Sequence, residues 1–163
     1  STATAQIVIN AENRPIDSIR LLFKPLGKEY DYFIFDTAPS VGGIQERAIY
    51  AADLTLIPTA TEFLSMNGLA QMMELLNSLR DQHHWTGKLA GILPTFYDEQ
   101  TSESHKSMAE LKANFGESVL SPIHRATILR ECAAEGKTIF EMDPASRASR
   151  EYEELTRVVV KLS

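Results

Sequence analysis

The run Tyr30-Asp31-Tyr32-Phe33-Ile34-Phe35-Asp36-Thr37-Ala38-Pro39-Ser40 constrains this chain more than any other stretch. Aromatic and β-branched residues accumulate and then end abruptly in a carboxylate, followed by turn-forming residues. A continuous apolar run of this length suits a strand buried on both faces, as in a parallel sheet covered by helices. Ligands of such sheets bind outside the carboxyl ends of the strands, which is where Asp36 falls. A carboxylate there can hold Mg²⁺, directly or through water, beside a nucleotide phosphate. The plainer alternative is that Asp36 caps or turns the chain, as Asp often does.

The rest of the sequence alternates short apolar runs with amphipathic periods. Ile16 to Leu26 reads as a helix leading into a strand over Tyr32 to Phe35. Ser40 can cap a helix from about Gly43 to Ala52. Leu54-Thr55-Leu56-Ile57 reads as a strand stopped by Pro58, and Leu89 to Leu93 as another stopped by Pro94. Between them Ser65 caps a helix carrying Leu69, Met72, Met73, Leu76 and Leu79 at three- and four-residue spacing, a core stripe. Met108, Leu111 and Phe115 mark a further helix stopped by Gly116. Val119-Leu120 is a short strand, and Ala126 to Glu135 is helical. A last helix, about Ser146 to Lys161, turns Tyr152, Leu155 and Val159 inward. Strands alternating with helices imply βαβ crossovers, so the fold class is α/β with a mostly parallel sheet flanked by helices.

At 163 residues the chain is one domain's worth, read as a single domain over 1–163. A net charge of -6 argues against wholesale coating of nucleic acid while leaving room for a local basic patch. The lone Cys132 has no disulfide or metal-ligand partners and reads as a buried thiol in a reducing cytoplasm. No apolar run approaches the roughly 20 residues of a membrane span. His83, His84, His105 and His124 lack metal-ligand spacing, and no nucleophile elbow or paired-carboxylate motif is present.

Four more segments belong with the opening run: Ala51 to Pro58 followed by Glu62 to Leu69; Gly91-Ile92-Leu93-Pro94-Thr95-Phe96-Tyr97-Asp98; Ile123-His124-Arg125 with Glu131, Gly136 and Lys137 beyond; and Met142-Asp143-Pro144-Ala145-Ser146-Arg147. In this order and spacing they resemble the C-terminal half of ParA-type partition ATPases, relatives of MinD, from about Tyr30 to the end. The resemblance implies a P-loop NTPase-like fold of the deviant Walker A class and an ATP- and Mg²⁺-dependent homodimer. That dimer binds DNA nonspecifically, is stimulated by a ParB-like centromere-binding protein, and works in the cytoplasm on the nucleoid. It places Asp36 on the Walker B aspartate, holding Mg²⁺ through water. Thr37, Ala38, Pro39, Ser40, Gly42 and Gly43 fall on the switch segment near the dimer interface. Thr95, Phe96 and Tyr97, with His124 and Arg125, fall on two loops that flank the adenine. His124 departs from the proline of many relatives, which puts base packing there in question. DNA-contact candidates are Arg125, Arg130, Lys137, Arg147 and Arg150. Against that stands the reading of solvated charges balanced by Glu131, Glu135, Glu151, Glu153 and Glu154.

One motif is missing. A P-loop needs G-x-x-x-x-G-K-[ST], whose backbone amides cradle phosphate while the lysine reaches the β- and γ-oxygens. Gly136-Lys137-Thr138 is the sole candidate, but position 131 is glutamate. Its context is also wrong, with a helix before it and an extended Ile139-Phe140 expected after it. Gln6 to Ile9 can form a strand, yet no glycine occurs before Gly27. The chain therefore reads as a piece lacking the N-terminal P-loop part, including the family's second lysine and catalytic aspartate, and inactive toward ATP by itself. Two alternatives stay open: a non-catalytic interaction module that retains the fold, and a MinD-like or other cargo-positioning ATPase. Against a MinD-like membrane anchor, the three consecutive valines Val158 to Val160 cannot share one narrow helix face.

Overall fold

The computed structural model describes residues 14–37, 43–62 and 64–163. The strand buried on both faces is not the opening run but β2 (Lys88–Thr95), where Ala90 through Pro94 are all buried. Beside it lies β1 (Leu54–Ala60), which pairs with β2. The Lys88 N–H donates to the Asp53 carbonyl at 2.9 Å, and at the other end Thr61 N–H donates to Thr95 at 3.0 Å, so the two strands run parallel. Along β2, parallel bridges Ile92–Val119 and Tyr97–His124 add a third, irregular extended segment. Val119-Leu120, expected as a strand, contributes this bridge rather than a full ladder.

Both prolines expected to stop strands lie inside them. Pro58 is exposed in β1, whose only ladder among the described residues is with β2, so a missing N–H on the open edge costs nothing. The Pro94 carbonyl accepts from Ile123 N–H at 2.9 Å, toward the segment where pairing is limited to isolated bridges.

The chain divides into two compact units, Ser1–Thr55 with Met66–Lys88, and Leu56–Ser65 with Leu89–Ser163. In the first, α1 (Ser18–Phe23) passes into a 3₁₀ turn, Lys24–Lys28, and α2 spans Gly43–Ala51. The expected strand Tyr32 to Phe35 has no regular secondary structure: among the described residues nothing forms a ladder with it. Its side chains still alternate. Phe33 and Phe35 pack edge-on against Phe23, both at 5.1 Å between centroids, while Ile34 is 93% exposed. A strand is defined by its neighbour, and a run of strand-forming residues cannot supply one. The helix α3 (Met66–His83) begins directly after Ser65 and buries Leu69, Leu76 and Leu79, with Met72 and Met73 half-buried. Trp85 is buried behind it and donates Nε1–H to the Ala52 carbonyl at 2.9 Å.

The second unit holds α4 (Ser102–Phe115), α5 (Ile128–Glu135), α6 (Ile139–Met142) and α7 (Arg147–Leu162). Gly116, with φ of 52°, ends α4 as its sequence position suggested. Cys132, Ile139 and Ala148 form a buried cluster joined by Leu129, Met142 and Tyr152, so the cysteine is a packing residue. Gly136-Lys137-Thr138 is a helix junction. Gly136 takes the left-handed cap of α5, and Thr138 caps α6 through a reciprocal box with Glu141. The expected extended Ile139-Phe140 is therefore helical, because the Thr138-x-x-Glu141 box outweighs the β-branched residue that follows it. No helix among the described residues is long and apolar enough to cross a membrane.

Candidate functional site

Where β2 ends, the backbone departs from ordinary geometry. Phe96 has φ of 53°, a conformation that bulky side chains rarely adopt and that costs about 1–3 kcal/mol. The residue is nevertheless 48% exposed. Two loops are stitched together here. Tyr97 N–H donates to the Ile123 carbonyl at 3.1 Å, and Arg125 N–H donates to the Tyr97 carbonyl at 2.9 Å. This register sets the Tyr97 and His124 rings edge-to-face at 5.0 Å and places the Arg125 guanidinium 6.0 Å from the centre of the Phe96 ring. Arg125 is also ion-paired with Glu62.

Buried hydroxyls hold the loops from behind. Thr61 and Ser104, both essentially inaccessible, lie 3.3 Å apart, and Thr61 also donates to the Thr95 carbonyl at 3.2 Å. The Ser104 Oγ accepts from Asp98 N–H at 3.2 Å, and Ser107 donates to the Thr61 carbonyl at 2.8 Å. These bonds tie the carboxyl ends of both strands to the first turn of α4, whose N-cap is Thr101.

In front of the loops lies a cleft of 360 Å³ lined by Tyr97, Glu99, His124, Arg125, Arg147 and Glu151 among others. Glu151 on α7 clamps His124 twice, accepting from its backbone N–H at 2.9 Å and lying 2.6 Å from Nδ1. The Arg147 Nε donates to the same carboxylate at 2.8 Å. Arg147 Nη2 reaches Glu99 Oε1 and His124 Nε2, each at 2.7 Å. The same Nε2 lies 3.0 Å from Glu99 Oε1, so the imidazole, the guanidinium and the two carboxylates form one connected cluster. The hydrogen bond and charge of Arg147 hold the Glu99 carboxyl below its ordinary range. In return the hydrogen bond to Glu99, above all, holds the Arg147 guanidinium above its own.

The structure thus gathers Thr95, Phe96, Tyr97, His124 and Arg125, which the sequence singled out as a set, and adds Arg147, expected elsewhere. Arg130 is exposed, Lys137 pairs with Glu135 at 2.8 Å, and Arg150 donates to the Ala145 carbonyl at 2.6 Å; none of the three lines the cleft. Asp36 and Thr37 are exposed in the first unit, and Gly43 opens α2. Ala38, Pro39, Ser40 and Gly42, like Gln6 to Ile9, lie outside the described residues. Among the described residues no three His, Cys, Asp or Glu gather to hold a metal. Sequence reasoning missed Glu99 altogether and took Glu151 for a balancing charge. The four-residue spacing of Arg147 and Glu151 was a readable signal for that pair; nothing local marks Glu99, which lies 48 residues from Arg147.

A family model described as an AAA domain matches residues 2–88, just over half of the chain. The chromosome partitioning protein ParA of Myxococcus xanthus is 32% identical over 155 residues, covering 94% of this chain and 54% of that protein. A solved Cyanothece McdA variant in complex with ATP superimposes with a TM-score of 0.85 at 22% identity, over 96% of this chain and 62% of that one. The cobyrinic acid a,c-diamide synthase of Mycobacterium smegmatis, solved with an ATP analogue and magnesium, gives a TM-score of 0.62 at 26% identity, over 68% of this chain and 46% of that one. The chain spans about half the length of the curated relatives it matches.

Proposed function

The chain belongs to the ParA-type family of partition ATPases, and we propose from this premise that it supplies the base-side half of an ATP site in a DNA-partition switch. The observation that carries this reading is the stitching of loop 95–98 to loop 123–125 at the carboxyl end of β2, with an exposed, strained Phe96 at its centre. Open α/β sheets bind ligands at that end, and strain held at an exposed aromatic residue is a mark of a functional position. Phe96 offers a stacking face, and Tyr97, His124 and Arg125 line the place of the base.

Asp36 is the Mg²⁺ carboxylate in this reading. A single exposed carboxylate fits that ion, which keeps several waters and takes one or two carboxylates beside phosphate oxygens. Magnesium would neutralise phosphate charge there. Thr37, Ala38, Pro39, Ser40, Gly42 and Gly43 form the segment that senses the terminal phosphate and adjoins the homodimer contact. The 163 residues hold no glycine-rich lysine loop, so a further stretch of polypeptide supplies the phosphate-binding half. The assembled protein dimerises with ATP, contacts DNA nonspecifically through Arg125, Arg130, Lys137, Arg147 and Arg150, and answers to a ParB-like partner on the nucleoid.

Amide resonances of the purified chain, followed while ATP·Mg²⁺ is added to millimolar concentration, test the site. Shifts concentrated at residues 95–98 and 123–125, and reduced by Phe96→Ala, are expected. Shifts elsewhere, or none, would overturn the assignment. The same sample should turn over no ATP, and Mg²⁺-dependent hydrolysis would show that the phosphate half has been misjudged.

A further inference from the structure

We propose that Glu99 masks Arg147, so that this arginine is a DNA-contact residue held in reserve at the mouth of the cleft. The inference rests on the DNA-binding reading above and concerns how that contact is regulated. Arg147 is not an idle surface charge. Its guanidinium donates to Glu99 Oε1 at 2.7 Å and to Glu151 Oε1 at 2.8 Å, and touches His124 Nε2 at 2.7 Å. These contacts engage Nε and Nη2, two of the three guanidinium nitrogens that would otherwise meet phosphate oxygens. The side chain is still 52% exposed and Glu99 57% exposed, so the pair sits where DNA can reach it.

The two carboxylates are not equivalent. Glu151 lies on α7 one helical turn from Arg147, is only 14% exposed and is committed to His124. It orients the arginine. Glu99 comes from the loop that follows Tyr97 and Asp98, where its backbone carbonyl also holds His105 Nε2 at 2.8 Å. A shift of that loop withdraws Glu99 and leaves Arg147 aimed outward on its Glu151 hinge. The availability of the cation is thereby tied to the loop that flanks the proposed base site.

The test is fluorescence anisotropy with a random-sequence duplex DNA, comparing the full chain with Glu99→Gln over a range of salt. Each additional phosphate neutralised steepens the dependence of log affinity on log salt by about 0.9, which multiplies the affinity lost between 50 and 200 mM salt by about 3.5. Glu99→Gln should steepen the slope by one such increment. Glu103→Gln, which removes an equal charge from an exposed position in the first turn of α4, should not. Arg147→Ala should abolish the steepening when combined with Glu99→Gln. An unchanged slope in Glu99→Gln, or a steepening that survives Arg147→Ala, overturns the mask while leaving DNA binding by the chain intact. Absence of DNA binding by every form would overturn the mask as a device of this chain, while the DNA reading, which concerns the ATP-assembled dimer, would stand. Glu99 is exposed, so matching thermal melts identify properly folded variants.

Discussion

Gly91→Ala is the substitution whose effect the structure states most directly. Gly91 lies in the buried centre of β2, and a Cβ built there falls 2.5 Å from Leu120 Cγ and 2.8 Å from each of its Cδ atoms. Carbon atoms prefer about 3.5–4.0 Å, so the methyl group intrudes by roughly 1 Å on three atoms at once. Rotation about χ2 cannot relieve this, because Cγ moves only with χ1. Nor can the backbone withdraw freely: Leu120 N–H is held by the Ile92 carbonyl at 2.9 Å. Overpacking of this kind costs about 1–3 kcal/mol, which for a chain of this size lowers Tm by roughly 2–12 °C. Scanning calorimetry and urea unfolding of the wild type, Gly91→Ala, Leu120→Ala and the double variant make a closed cycle. Leu120→Ala removes all three clashing atoms, so the double variant should be more stable than the sum of the single effects by about 1 kcal/mol or more. A Gly91→Ala protein within about 0.5 kcal/mol of wild type, or strict additivity in the cycle, would refute the close-approach argument.

Two further outcomes follow from the hydrogen bonds. Ser104→Ala leaves the Asp98 amide without its acceptor and should cost about 1–2 kcal/mol in urea unfolding, with faster hydrogen exchange at that amide than at its neighbours. The Glu99 carboxyl titrates lower in the folded chain than its ordinary value of 4.5. Its contribution to stability is therefore complete above that value and lost as pH falls through the folded one. Arg147→Ala removes the main cause of the depression and should flatten the acid limb of stability against pH; an unchanged limb would show the pair to be energetically idle.

How much was legible depended on the range of the interaction involved. Helix α4 was readable because its apolar stripe, Met108, Leu111 and Phe115, and its Gly116 stop all lie within nine residues. The loops 95–98 and 123–125 were nominated by resemblance, and the structure joined them through backbone bonds that no local pattern specifies. Glu99 went unseen because its partners Arg147 and His124 are distant in sequence. The Thr138-Glu141 box is fully local, its two residues three apart, and so is legible in the sequence without any knowledge of the fold.

By itself the sequence determined the α/β class and the places of most helices. These follow from periodicity, caps and turn chemistry, which act between near neighbours. Only the tertiary structure decided which apolar run is a strand. Ala90 to Pro94 became one because β1 and the 119–124 segment lie along it, whereas Tyr32 to Phe35, with stronger β propensity, has no ladder partner among the described residues. Propensity proposes a strand, but inter-strand hydrogen bonds make it, and they depend on what folds alongside. The same holds for charge: in the sequence Arg147 was a DNA-contact candidate or a balanced surface charge, and in the fold it is one corner of an ion cluster.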